Sequence, residues 1–183
     1  MNSSLPGPDA VLAFWFNEIA PRDWWSKSVD IDRAIRQRFG ALHAAAARCE
    51  LFGWRSTAPG RLAEVIVLDQ FSRNLHRTAP LAFACDPLAL ALAQEAVAAG
   101  ADRALTPERR AFLYMPYMHS ESRIIQDAAL ALFRDGAPDN LEHARRHRAV
   151  VERFGRFPHR NAVLGRPSTD EEEQFLQTPG SAF

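Results

Sequence analysis

The run Val65-Ile66-Val67-Leu68 constrains this chain more than any other feature. It lies within "RLAEVIVLDQFSRNLHR", which reads as a helix, and for two turns it leaves that helix no clean polar face. A helix that is apolar almost all round has to be buried on almost every side. The segment therefore predicts a core helix packed among other helices, and it carries Asp69, Gln70, Arg73 and Asn74 inward with it.

Those other helices announce themselves by their ends. Leu12, Trp15, Phe16 and Ile19 share one helical face, with Asp9 available as N-cap. A second helix is expected from Ser28 or Asp30 to about Leu51, where Gly53 can end it. Asp86 before Pro87 and Thr106 before Pro107 each combine an N-cap with proline at the first helical position, and Gly100 closes the first of the two. Pro116 should kink or break the following helix, after which Ser120 can cap residues 121–136. Asp139 or Asn140 opens the next helix, Gly155 ends it, and Thr169 with Glu172 forms a capping box for a last short one. "TPGSAF" should fray.

No β-branched run of period two stands between turn signals, so the expected class is all-α: six to eight helices as stacked antiparallel hairpins, in a bundle or short solenoid. At 183 residues the chain fits one domain, with a core over about 9–177. No self-similar period is visible, and the tetratricopeptide signature is absent.

Twenty-two basic residues balance 22 acidic ones, which argues against a general nucleic-acid binder and against attraction to anionic membranes. Cys49 and Cys85 lack metal-ligand spacing and read as reduced thiols. "MNSSLPGPDA" has no basic region or cleavage site of a leader, and "VLAFWF" is too short to span a bilayer. The expectation is a soluble, cytoplasmic protein without a cofactor.

Four segments carry candidate chemistry. In "LDQFSRN", Asp69 and Arg73 stand at i, i+4, either as an internal ion pair or facing a cavity. In "YMPYMHSE", His119, Ser120 and Glu121 follow the proline; Ser120 is better explained as a cap than as a nucleophile, while His119 can point inward as acid, base or hydrogen-bond partner. His143 and His147 have a spacing that could grip a metal, but no neighbouring acid completes a zinc motif, so no metal is expected. In "RFGRFPHRNAVLGR", Phe154 and Phe157 can anchor a loop that presents Arg153, Arg156, His159, Arg160, Asn161 and Arg166. Guanidinium forks suit carboxylates or phosphates; alternatively Asp170 to Glu173, Asp69 and Glu121 neutralise them internally.

"LDQFSRN", "AFACDPLAL", "YMPYMHSE" and "RFGRFPHRNAVLGRPSTDEE", with "VLAFWF" and "DWWSK", resemble the bacterial domain-of-unknown-function family 924 from about Val11 to Leu176. The resemblance implies a tetratricopeptide-like helical superfamily fold and no established activity. It places motif positions on Asp69, Gln70, Arg73, Asn74, His119, Ser120, Glu121, Gln126, His147, Arg153, Arg156, His159, Arg160, Asn161 and Arg166. Ser72 stands where the family more usually has proline, and His76 where it has phenylalanine.

Three functions remain open. The chain could bind an anionic small molecule or peptide carboxylate through Asp69, Gln70, Arg73, Asn74, His119, Glu121, Arg156, His159, Arg160 and Asn161. It could be a metal-independent enzyme with Glu121 or Asp69 as base and His119 or His159 as acid. Or these residues form a satisfied network that specifies the fold. Mutual pairing in a dry interior favours the last; a shared solvent-connected cavity favours the first two.

Overall fold

The structure is a computed structural model, described over residues 5–181. Positions 1–4 and 182–183 lie outside it, so the expectations for the N-terminal decapeptide and the C-terminal hexapeptide fall partly outside the described residues. In order come α1 (Pro8–Ala13), α2 (Val29–Ala47), α3 (Ala58–Ile66), α4 (Ser72–His76), α5 (Asp86–Ala98), α6 (Pro107–Met118), α7 (Arg123–Gly136), α8 (Leu141–Phe154) and α9 (Asp170–Leu176). No strand occurs among the described residues, and the protein is an all-α helical array.

The α3 and α4 segments are one rod, joined by a π-helical turn over Val67–Phe71, and a second π-turn, Phe14–Glu18, extends α1. A π-turn lengthens the hydrogen-bond step from four residues to five and loosens the carbonyls it spans. Side chains take them up here: Ser72 Oγ donates to the Leu68 carbonyl at 2.5 Å, Arg73 Nη1 to that of Asp69 at 2.8 Å, and Trp24 Nε1 to that of Trp15 at 2.8 Å.

The rod is the hub. Leu62, Ala63, Val65, Ile66, Val67, Leu68 and Phe71 are all fully buried. The α3 segment packs against α1, α5 and α6, while α2 covers the π-turn and α4. Burying each large apolar side chain stabilises by about 1.5–3 kcal/mol. Packing thus follows chain order from α5 to α8, but earlier helices gather around the rod instead. A smaller cluster of Val150, Val151 and Phe157, lined by Phe154 and Phe175, fastens the C-terminal loop, as the phenylalanine anchors predicted.

Several ends form as expected. Ser28, Thr106 and Thr169 accept from the amides of Ile31, Arg109 and Glu172, and Gly100 and Gly155 terminate helices at φ +71° and +72°; Thr57, not anticipated, caps α3 by accepting from the Gly60 amide. Others differ. Gly7, not Asp9, occupies the first N-cap. The α2 helix stops at Ala47 because Cys49 takes a left-handed φ of +60°, before Gly53 is reached. Pro116 lies inside α6, two residues before its end, where burial of Tyr114, Met115, Tyr117 and Met118 offsets its missing amide. Ser120 does not cap α7: its hydroxyl accepts from the Ser122 amide, Ser122 holds the N-cap position, and Glu121 is left outside the helix.

Residues Pro80–Ala98 form a 19-residue stretch long and apolar enough by composition to cross a membrane. Within it only Asp86–Ala98 is α5, whose Ala89, Ala93 and Ala96 pack into the core and whose Asp86 is ion-paired.

Candidate functional site

The π-turn delivers Asp69 to a place where it is 1% exposed. Three side chains meet its carboxylate there: His119 Nδ1–H donates to Oδ1 at 2.8 Å, Arg73 Nη1 stands 3.2 Å from the same oxygen, and Gln70 Nε2 donates to Oδ2 at 2.6 Å. Burial works against its ionisation, but the charge of Arg73 and the contacts from His119 and Gln70 win and hold the carboxyl well below the usual carboxylate range.

Arg73 also forks onto Asp86, the first residue of α5, at 2.9 and 3.0 Å. Asp86 is shared: Arg160 Nη1 reaches its Oδ2 at 3.3 Å, and Arg160 Nη2 donates to the His119 carbonyl at 3.0 Å. The Arg160 guanidinium lies between the rings of Phe83 and Phe157, 4.6 Å from each centroid. Its Nε is buried without a hydrogen-bond partner among the described residues. Burial, reinforced by Arg73, pushes Arg160 down to about 10, with Asp86, Glu121 and Asp69 pulling the other way.

Two more histidines border the cluster. The His147 ring stands 6.1 Å from that of His119, and its Nδ1–H donates to the His143 carbonyl at 2.8 Å. The helical pair His143 and His147 therefore meets side chain to backbone, with His143 exposed and His147 buried. Among the described residues no three His, Cys, Asp or Glu side chains are placed to hold a metal ion. Burial lowers His147 to about 3; burial together with Arg160 lowers His159 to about 4. His119 is also lowered, chiefly by burial, so it meets Asp69 as a neutral donor at neutral pH.

A second carboxylate clamps the loop. Glu121 accepts from Arg166 at 2.7 and 2.9 Å and from the Phe157 amide at 2.7 Å, and although burial resists, these contacts lower its pKa. A third, Glu172, accepts from Arg156 at 2.6 and 2.7 Å, from Asn161 at 3.3 Å and from the Thr169 amide at 2.8 Å; Arg156 chiefly brings it to about 2.

Thus Asp69, Gln70, Arg73, His119 and Arg160 come together, His159 lies at their edge, and Glu121 belongs to the adjoining clamp. Arg156 and Asn161 gather on Glu172 instead. Asn74 leaves the cluster altogether and donates to Asp32 at 2.9 Å. His119, Ser120 and Glu121 turn to three different partners, which removes any local triad. Sequence reasoning missed Asp86 and Phe83: Asp86 was expected to be the N-cap of α5, but Cys85 holds that position with no side-chain cap bond, and Asp86, the first residue of the helix, turns its carboxylate to Arg73 and Arg160 instead. Two hollows, of about 530 and 410 Å³, open elsewhere, and of the cluster's expected residues only Asn74 lines either of them.

An all-α array with one Asp-His-Arg cluster knotted around a π-turn defines the class. The chain belongs to the bacterial family of proteins of unknown function DUF924, whose model matches residues 11–180. The solved structure of a protein of unknown function from Agrobacterium tumefaciens, ATU0120, is similar at 41% identity and a TM-score of 0.89, covering 93% of this chain and 96% of that one. No curated protein matches the sequence.

Proposed function

We propose that the protein binds a small carboxylate, free or at the end of a peptide, at the Arg160 corner of the cluster. One observation carries this reading: a buried guanidinium, 4.6 Å from the ring centroids of both Phe83 and Phe157, with Nε lacking a partner among the described residues and its contact to Asp86 stretched to 3.3 Å. Arginine offers five donors in a fixed fork, and leaving them unused in a buried setting is costly. A ligand carboxylate that displaces Asp86 supplies the acceptor Nε lacks. The mutual pairing of Asp69, Arg73, His119, Asp86 and Arg160, which line neither of the two hollows, favours instead a satisfied structural network.

The charges also specify how it binds. Arg73, Arg160 and Arg166 are matched by Asp69, Asp86 and Glu121, so the cluster has no surplus positive charge. An added carboxylate therefore brings a proton with it, onto His119 or His159, or displaces Asp86. Free thiols at Cys49 and Cys85 fit a cytoplasmic setting, and the contacts of α6 with α7 and of α7 with α8 fit tetratricopeptide-like stacking.

A second reading, acid-base chemistry, draws on the hydrogen bond from His119 to Asp69. With Nδ1–H committed, Nε2 keeps the lone pair of a neutral base.

The test is thermal denaturation with acetate, succinate and citrate, on the wild type and on Arg160→Lys. A ligand at a hundred times its Kd adds about 2.7 kcal/mol, a rise of roughly 5–11 °C for a chain of this size. The rise should be absent in Arg160→Lys, which keeps the charge and loses the planar fork. If none of the three anions moves the wild-type Tm, the cluster is a structural clamp and the binding reading fails.

A further inference from the structure

We propose a second anion site, independent of the first, in the hollow between the start of α2 and the end of α4, which takes the phosphate or carboxylate group of a small organic molecule. The hollow has a volume of about 530 Å³, and Arg33, Arg36, His76 and Arg77 line it.

The charges of its walls do not cancel. Arg77 is committed, since its Nε and Nη2 donate to the two oxygens of Asp32 at 2.5 and 2.7 Å. Asn74 completes the coordination of that carboxylate, so Asp32 has little capacity for a further cation. Among the described residues Arg33 reaches only Asp30, at 3.2 Å, in a pair whose side chains are 62% and 88% exposed. Such exposed pairs contribute about 0–1 kcal/mol and exchange readily. Arg36 donates to the Leu75 carbonyl at 2.9 Å and, among the described residues, meets no carboxylate. Arg33 and Arg36 thus stand on one helix, one turn apart, as cations with donors to spare.

The neighbouring imidazole feels that excess. His76 is disfavoured as a cation by burial and then by the charge of Arg36, while the His43 ring stands 5.8 Å away. An oxyanion between Arg36 and His76 answers both, through a forked contact to guanidinium and a hydrogen bond to imidazole. The hollow is roomier than an oxyanion alone requires, and Val29 and Ala79 add apolar wall for an organic remainder.

The experiment follows the His76 ring signal by NMR, assigned with His76→Gln, during titration with inorganic phosphate or succinate against chloride at matched ionic strength. A saturable shift with phosphate or succinate and not with chloride is expected, and which of the two binds more tightly identifies the source of the oxyanion. Arg36→Ala should weaken binding at least tenfold, and Arg36→Lys, which keeps the charge, should weaken it less. Circular dichroism establishes that each variant is folded; if Arg36→Ala is not, Arg33→Ala and Arg36→Lys decide, both with weakened binding expected. Arg160→Lys should leave the His76 titration unchanged, which separates this site from the Arg160 corner. Shifts that chloride reproduces, or that survive both arginine substitutions at full affinity, overturn the proposal.

Discussion

His119 Nδ1–H donates to Asp69 Oδ1 across 2.8 Å, tying the end of α6 to the π-turn of the central rod. The bond fixes the imidazole tautomer and orients its ring, and it helps compensate a carboxylate almost wholly removed from water.

Asp69→Asn should therefore cost about 3 kcal/mol, the lower part of the range for breaking a buried ion pair, because Arg73 keeps Asp86. Urea denaturation measures this, and a double-mutant cycle with His119→Gln should return a coupling of roughly 1–3 kcal/mol. Additive losses would mean that the two residues stabilise separately.

Stability should fall from about pH 6.5 downward. His147 and His159 have native pKa values of about 3 and 4, below the unfolded value of about 6.5, so acid protonates the unfolded chain first. The sign is that stability is fully present above about pH 6.5 and is lost as pH falls toward the native values. His147 alone accounts for about 1.4 kcal/mol per pH unit within that window, and partly exposed His159 for less. Urea midpoints at pH 7.5, 6 and 5 check it; His147→Gln should flatten the slope, and a level wild-type profile would contradict it. Where carboxylate binding at Arg160 draws in a proton rather than displacing Asp86, it should by contrast tighten over the same interval in calorimetric titrations, and pH-independent binding would assign the displacement route.

Glu121→Gln should loosen the loop without unfolding the array. The Phe157 amide loses a charged acceptor, a contact worth about 1.5–3 kcal/mol, so its hydrogen exchange should quicken by roughly one to two orders of magnitude. Amides of α3 should keep their rates. Uniform acceleration would show that the loop and the core open together.

Two adjacent glutamates should behave differently. Glu172→Ala removes the capping-box acid, the Arg156 partner and an Asn161 contact together, at a cost of about 2–4 kcal/mol. Glu171→Ala breaks only an exposed pair with Arg153 and should shift stability by less than about 0.5 kcal/mol. Chemical denaturation of both variants checks the contrast.

Much of this was legible in the residues. The Val65 to Leu68 run implied a buried rod, and Thr106, Thr169, Gly100 and Gly155 marked ends where they occur, because caps and apolar periodicity are local signals. The pairing of Asp69 with Arg73 followed from helical spacing. Asn74 was misplaced for an instructive reason: one residue past Arg73, it turns about 100° around the axis and meets Asp32 on the other side. Asp86 stayed hidden because its partners, Arg73 and Arg160, come from distant parts of the chain. The two π-turns left no sign in composition, since their widened step is sustained by Trp24, Ser72 and Arg73 acting on backbone carbonyls.

The π-turn at Val67–Phe71 also works as a phase adjuster. It is equivalent to one extra residue let into an α-helix, so deleting a single residue there, such as Val67, would let the turn close into regular winding while the rod on either side kept its phase. Arg73 would still face Asp86 and Asn74 would still face Asp32, whereas the same deletion within the regular winding of α3 would turn both away by about 100° and sever both connections in one stroke. The π-turn is thus slack in the rod: a residue can leave it without moving the partners beyond, while the same loss one turn earlier, in α3, displaces them all.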